Sequence, residues 1–295
     1  MKITGLFLAL MMMASVCFAQ QTATVYSRVV TGSVSGVIPE TDGIDNISLQ
    51  KSANRVLNNA ADNLAKQLGS CRLSYTVTLN RPTVVGILLK AENGTSTVYK
   101  GVNIDLTTGR EMALTEIFRG GETFTNITGP YNDALLYEDG VHFRDAEGAA
   151  YTRVMPYKNL LPAIRAAEAV RILPVSFMTR AVEDRLVPVK PGAILAIKLD
   201  ANRSTGYSWQ VHPSDAASVF EIGRSYMMPM NMDGQTGVMG SEIIFLAVQN
   251  PGNYKVTMEY KRGWEMMGVQ QFSFDIAAQY NGGLNGEKNH YCNHF

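Results

Sequence analysis

A surplus of charge of either sign is missing from this chain. Lys and Arg number 26 across 295 residues, matched by 26 Asp and Glu. Holding nucleic acid by its phosphates needs a basic surplus, so a general nucleic-acid binder is not expected, although a local patch is not excluded. Histidine is also scarce, at four. His142 and His212 stand alone. His290, Cys292 and His294 alternate in an Asn/Gly-rich tail, too loose a set for a selective metal site. No Gly-x-Ser-x-Gly, phosphate loop or His-Glu-x-x-His occurs. With no nucleophile–base pair and no built ligand set, the chain reads as a non-enzyme needing no cofactor or metal. Beyond the N-terminus no apolar run reaches the roughly 20 residues of a membrane span.

What is present begins with Lys2, Ile3 and an almost wholly apolar run from Leu6 to Cys17, ending Val16-Cys17-Phe18-Ala19-Gln20. Small residues sit at the −3 and −1 positions of a cut after Ala19, the pattern of a secretory signal peptide over residues 1–19. A lipoprotein cut before Cys17 would place Val16, a poor residue, just ahead of it. The expectation is export to a periplasmic or extracellular space. Cleavage removes one of three cysteines and leaves Cys71 and Cys292. An even pair in an oxidising compartment invites a disulfide; the alternative is two free thiols, one of them near a loose tail.

Apolar residues make up 46% of the chain, enough to build cores, and its length suggests two domains. Residues 20–46 read as a strand followed by a loop. Residues 45–68 read as a helix, with Ala53, Val56, Leu57, Ala60, Leu64 and Leu68 on one stripe and Gly69 as its stop. Alternating strands are expected at 73–79 and 102–106, the latter ending in a turn at Thr107-Thr108-Gly109-Arg110. Short helices are expected at 114–118 and 163–172. Irregular alternation of strand and helix points to α+β for residues 20–168. Residues 169–184 read as a linker. From 185 to 278 the texture is all-β: Leu195, Ile197 and Leu199 alternate, residues 242–248 are nearly continuous and apolar, and alternation returns at 254–260 and 272–276. Residues 279–295 read as a tail.

Three segments fall between these last strands: Asn202-Arg203-Ser204-Thr205-Gly206-Tyr207-Ser208-Trp209, Gly237-Val238-Met239-Gly240, and Lys261-Arg262-Gly263-Trp264-Glu265. Alternate hairpins of one sandwich can bring such loops to one edge. In residues, order and spacing they resemble the chagasin-like inhibitors of papain-family cysteine peptidases. That family carries Asn-Pro-Thr-Thr-Gly-Tyr/Phe-x-Trp, Gly-x-Gly-Gly and Arg-Pro-Trp loops on an immunoglobulin-like sandwich. The resemblance covers residues 185–278. It implies that Ser204, Thr205 and Gly206, with Asn202 and Tyr207, enter the peptidase cleft, flanked by Gly237, Met239 and Gly240 on one side and Arg262 and Trp264 on the other. Trp209, at a strand start, reads as core and Trp264, in a turn, as contact. Met227, Met228 and Met230 read equally as an exposed patch or as gap-fillers. Three residues depart from the pattern: Arg203 and Gly263 stand in place of proline, and Met239 in place of glycine. Each change loosens or reshapes a loop, so weaker inhibition or a different target peptidase is expected.

Residues 98–118, from Val98-Tyr99-Lys100-Gly101 through Asp105-Leu106-Thr107-Thr108-Gly109-Arg110 to Leu114-Thr115-Glu116-Ile117-Phe118, resemble a second family. It is a module of bacterial extracytoplasmic proteins, found in a lysozyme-sensing anti-sigma factor and beside peptidoglycan deacetylase domains. Glu138-Asp139-Gly140 and Met155-Pro156-Tyr157 resemble its later segments. The resemblance implies an α+β fold and binding of lysozyme or cell-wall glycan, without catalysis. On the residues alone, Asp105 and Gly109 need be no more than a hairpin turn.

The sequence thus reads as two domains, an N-terminal α+β module and a C-terminal all-β immunoglobulin-like sandwich. The expected function is a secreted inhibitor of papain-family cysteine peptidases. The alternative is an envelope sensor or binding protein whose sandwich does not inhibit.

Overall fold

The computed structural model describes residues 22–119, 122–228 and 239–280. The expected signal peptide, Gly237, Met230 and Cys292 lie outside the described residues.

The chain opens with β1 (Thr24–Val30) and β2 (Val34–Asp42), an antiparallel hairpin. Residues 34–42 are therefore strand, not the loop expected there. Next comes α1 (Ile47–Leu68). The Asn46 side chain accepts the Ser48 and Leu49 amides and so caps its N-terminus. Ala53, Leu57, Ala61 and Leu64 are buried on one stripe, and Gly69 ends the helix at φ 73°. Strands β3 (Cys71–Asn80), β4 (Val84–Glu92), β5 (Thr97–Asp105) and β6 (Arg110–Glu111) complete a six-stranded sheet in sequential order. The stripe of α1 packs against Leu73, Ile87, Leu89, Val102 and Ile104 to form a first core. Cys71 is buried there, and desolvation pushes its thiol pKa up. The turn after β5 is a hairpin turn: Asp105 accepts the Thr107 amide through its side chain and the Gly109 amide through its carbonyl, and Gly109 has φ 65°. The Asp105 carboxylate also receives Arg171 at 2.7 Å.

A smaller part follows: α2 (Leu114–Ile117), α3 (Glu122–Thr128), a three-stranded sheet of β7 (Asp133–Leu136), β8 (Gly140–Arg144) and β9 (Arg153–Pro156), then α4 (Tyr157–Leu160) and α5 (Ala166–Ile172). Residues 169–184, read as a linker, hold the end of α5, strand β10 (Val175–Met178) and a 3-10 turn at Arg180–Val182.

The remaining strands are β11 (Leu186–Val189), β12 (Ala193–Ala201), β13 (Ser208–Pro213), β14 (Val219–Met227), β15 (Gly240–Val248), β16 (Gly252–Lys261) and β17 (Gln270–Ala278). They form two four-stranded sheets, β10-β12-β15-β14 and β11-β17-β16-β13. Leu195, Ile197, Leu199, Ile244, Leu246, Val256, Met258, Phe272 and Phe274 fill the space between them, making a β-sandwich. Trp209 lies in this core, 1% exposed, its indole N–H donating to the Asp200 carbonyl at 3.0 Å. The buried Glu242 carboxylate joins the two sheets, accepting the Trp209 amide at 3.1 Å and Arg224 at 3.0 Å.

The apolar run of β15 has a second consequence. Ile244, Leu246 and Val248 face the sandwich core, whereas Ala247 belongs to another core, with Phe245 packed against it. Ile194 and Ile222 join Ala247 there, against Phe118, Leu136, Phe143, Leu160 and Ile172 of the preceding part. The outer face of one sandwich sheet is thus built into the α+β region. Arg119 seals the junction by donating to the Ile222 carbonyl at 2.8 Å. Ala166 of α5 lies so close to Gly223 that a Cβ there would come within 2.6 Å of its own. Among the described residues, no helix is long and apolar enough to cross a membrane.

Candidate functional site

The register of the sandwich determines where its loops emerge. Ala201 pairs with Gly240 and Met227 with Ser241 in one sheet; Ser208 pairs with Lys261 and Tyr260 with Gln270 in the other. The connections after β12, β14 and β16 therefore leave at one end of the sandwich. The Tyr260 hydroxyl ties the sheets at that end by accepting the Asn202 amide at 2.6 Å.

The first loop is a single 3-10 turn, Arg203–Thr205. The Asn202 side chain caps it, accepting the Ser204 amide at 3.2 Å and the Ser204 hydroxyl at 2.7 Å. The Thr205 hydroxyl donates to the Asn202 carbonyl at 2.6 Å. Gly206 closes the turn at φ 77°, a left-handed conformation that costs any residue with a Cβ. Arg203 lays its guanidinium over the Tyr226 ring at 5.5 Å.

The third loop begins with a β-turn in which the Glu265 amide donates to the Arg262 carbonyl at 3.0 Å. Gly263 and Trp264 occupy its two central positions. Side chains then bind this loop to the first. Arg262 Nε donates to the Thr205 carbonyl at 3.1 Å, and its guanidinium lies over the Tyr207 ring at 4.5 Å. Glu265 accepts the Tyr207 hydroxyl through Oε1 at 3.1 Å and the Arg262 amide through Oε2 at 3.1 Å. That bond to Glu265 leads the causes holding the Tyr207 pKa above the ordinary tyrosine value. The aromatic planes continue inward: Tyr207 stacks on Tyr260 at 5.3 Å, and Tyr260 contacts Trp209 at 5.2 Å. A column thus runs from the surface to the core.

Trp264 caps this column on the solvent side. It is 77% exposed, and its ring edge lies 4.0 Å from where a Gly206 Cβ would stand. Beyond it Met266 and Met267 are also exposed.

Of the second loop, Met239 and Gly240 are described. Gly240 begins β15, where a Cβ would lie 2.5 Å from the Tyr226 hydroxyl, so glycine is required by close approach. Met239 is exposed and walls a depression of about 280 Å³ with Leu199, Asp200, Trp209 and Gln270. Met227 and Met228 are exposed at the same end.

The structure therefore gathers Asn202, Ser204, Thr205, Gly206, Tyr207, Met239, Gly240, Arg262 and Trp264 at one end of the sandwich. It separates their environments. Trp264 and Met239 face solvent, while Tyr207, half-buried, packs beneath the turn. Sequence reasoning missed Glu265, which no motif marks. Its signal was only its place, three residues after Arg262 and opposite a tyrosine. Among the described residues no group of three His, Cys, Asp or Glu is placed to hold a metal.

With this geometry in view, residues 188–277 match the family model described as Chagasin family peptidase inhibitor I42. They form a chagasin-family inhibitor domain, an inhibitor's domain and not an enzyme's, over less than a third of the chain. The match does not reach residues 20–168. Solved structures are similar too, among them the following three. The cysteine protease inhibitor EhICP2 from Entamoeba histolytica shares 17% identity over 36% of this chain and 96% of its own, with a TM-score of 0.32. Amebosin shares 22% over 36% and 99%, with a TM-score of 0.31. PbICP-C, solved in complex with falcipain-2, shares 16% over 36% and 91%, with a TM-score of 0.26. Likeness at this level adds nothing to the family match. No curated protein matches the chain.

Proposed function

We propose that this chain is an exported inhibitor of papain-family cysteine peptidases that blocks the active-site cleft with the loop end of its sandwich. One observation carries the reading. Within the matched residues, a small left-handed turn at Gly206 stands beside an exposed Trp264, and side chains fasten both to the sandwich core. A papain-like site is a narrow groove with a thiolate nucleophile. The Ser204-Thr205-Gly206 turn can fill such a groove without bulk. Asn202 holds its Ser204 amide and Arg262 its Thr205 carbonyl, so the turn resists the reshaping that would bring a carbonyl into the geometry of attack. Trp264 supplies an aromatic anchor beside the groove, with Met239 on the other flank.

The α+β region, in this reading, is a buttress. The outer face of one sandwich sheet is buried against it, which supports a positioning role. The test is titration of the full chain against papain with a fluorogenic substrate. Stoichiometric or tight inhibition is expected. No inhibition at micromolar concentration across a panel of papain-family peptidases would remove the proposal, and retention on peptidoglycan or lysozyme would then favour an envelope-binding protein.

A further inference from the structure

At 203 and 263, where the chagasin-like pattern has stiffening prolines, this chain has Arg203 and Gly263. The loops are nevertheless tied together. We propose that Glu265 is a positioning residue that holds the inhibitory end in its binding shape, supplying by hydrogen bonds the restraint that proline would supply by its ring. This inference rests on the inhibitor reading above.

The Glu265 carboxylate has two oxygens and uses each on a different loop. Oε1 takes the Tyr207 hydroxyl from the first, and Oε2 takes the Arg262 amide at the start of its own turn. Oε1 also lies 3.7 Å from Arg262 Nη1, which steadies the guanidinium above Tyr207. Arg262 in turn holds the Thr205 carbonyl. Glu265 therefore fixes the guanidinium, the guanidinium fixes the first loop, and the β-turn between Arg262 and Glu265 fixes Trp264. None of this requires Glu265 to touch a peptidase. Pre-organised loops lose less entropy on docking, and the gain falls mainly on the dissociation rate.

The turn also shows how to replace the clamp. Gly263 holds the first central position of a β-turn, its φ is not positive, and a Cβ there would meet nothing within 4 Å. Proline is favoured at that position. If Glu265 acts by restraint, a proline at 263 should substitute for it.

The experiment measures dissociation of full-length variants from papain. Glu265→Ala removes two hydrogen bonds from the free loops, and a dissociation rate about tenfold faster is expected, with little change in thermal midpoint. Gly263→Pro alone should stay near the parent, and Gly263→Pro/Glu265→Ala should recover most of the loss. An unchanged rate for Glu265→Ala overturns the inference. So does failure of a well-behaved Gly263→Pro to rescue, which would make Glu265 a direct contact. Should Gly263→Pro itself bind poorly, Tyr207→Phe and its double with Glu265→Ala decide: effects that do not add support the clamp, and additive ones overturn it. Absence of inhibition by the parent would instead overturn the inhibitor reading, and this inference with it.

Discussion

The chain has two tryptophans, and the structure gives them opposite work. Trp209 is 1% exposed and Trp264 is 77% exposed. Replacing each by alanine should therefore separate folding from binding. Trp209→Ala leaves a large hole between the sheets and removes the indole donor from the Asp200 carbonyl, and large-to-small changes of this kind cost about 3–5 kcal/mol. Trp264→Ala removes almost nothing from the folded chain, and an exposed substitution is worth within about 0.5 kcal/mol. On docking the order reverses. An indole of roughly 150–250 Å², three-quarters of it free to be covered, is worth about 3–5 kcal/mol at ~25 cal/mol/Å². After entropic costs, a loss of about 2 kcal/mol or more is expected, or roughly 30-fold in Kd. Urea unfolding and papain inhibition, measured on the same samples, read the two effects. Trp209→Phe serves if the alanine variant does not fold. Equal stability loss in both variants, or inhibition by Trp264→Ala equal to the parent, would refute the assignment.

Three further outcomes are expected. Gly206→Val should leave the fold intact but strain the left-handed turn by about 1–2 kcal/mol, with weaker inhibition; parent-like inhibition would show that the turn is not at the contact. The excised fragment 185–278 should bind hydrophobic dyes and unfold well below the full chain, because Ile194, Ile222 and Ala247 lose their cover; a fragment as stable as the whole would contradict a shared core. Burial raises the Cys71 thiol pKa, so iodoacetamide should leave Cys71 unmodified in the native chain and label it on unfolding; non-reducing mass mapping tests the Cys71–Cys292 pair, since a linked peptide would require Cys71 to be reached from the core.

Periodicity made much of the fold legible. The stripe of α1, the alternation of β12, β16 and β17, and the separate environments of Trp209 and Trp264 follow from residue patterns of a few positions. Strand β2 contains Gly36 and Pro39, residue types depleted in strands, yet its place beside β1 and β3 makes it strand. The shared core was half-visible. The apolar run at 243–248 announces that both faces are covered, but the partners Phe118, Leu136 and Phe143 are roughly a hundred residues away, a distance no local pattern spans. At the loop end, the residue types and their order were legible, whereas the tie between Glu265, Tyr207 and Arg262 is a matter of geometry. Replacing proline reads in sequence as loosening. The structure supplies hydrogen bonds and a guanidinium stack where the ring is missing.

Active-site titration of papain with the full-length chain tests directly whether the loop end of the sandwich blocks the cleft. Activity should fall to a one-to-one endpoint, with the inhibitor recovered uncleaved between Thr205 and Gly206. Undiminished activity at micromolar chain, across papain and its relatives, or steady cleavage of that turn as an ordinary substrate, would contradict such a block.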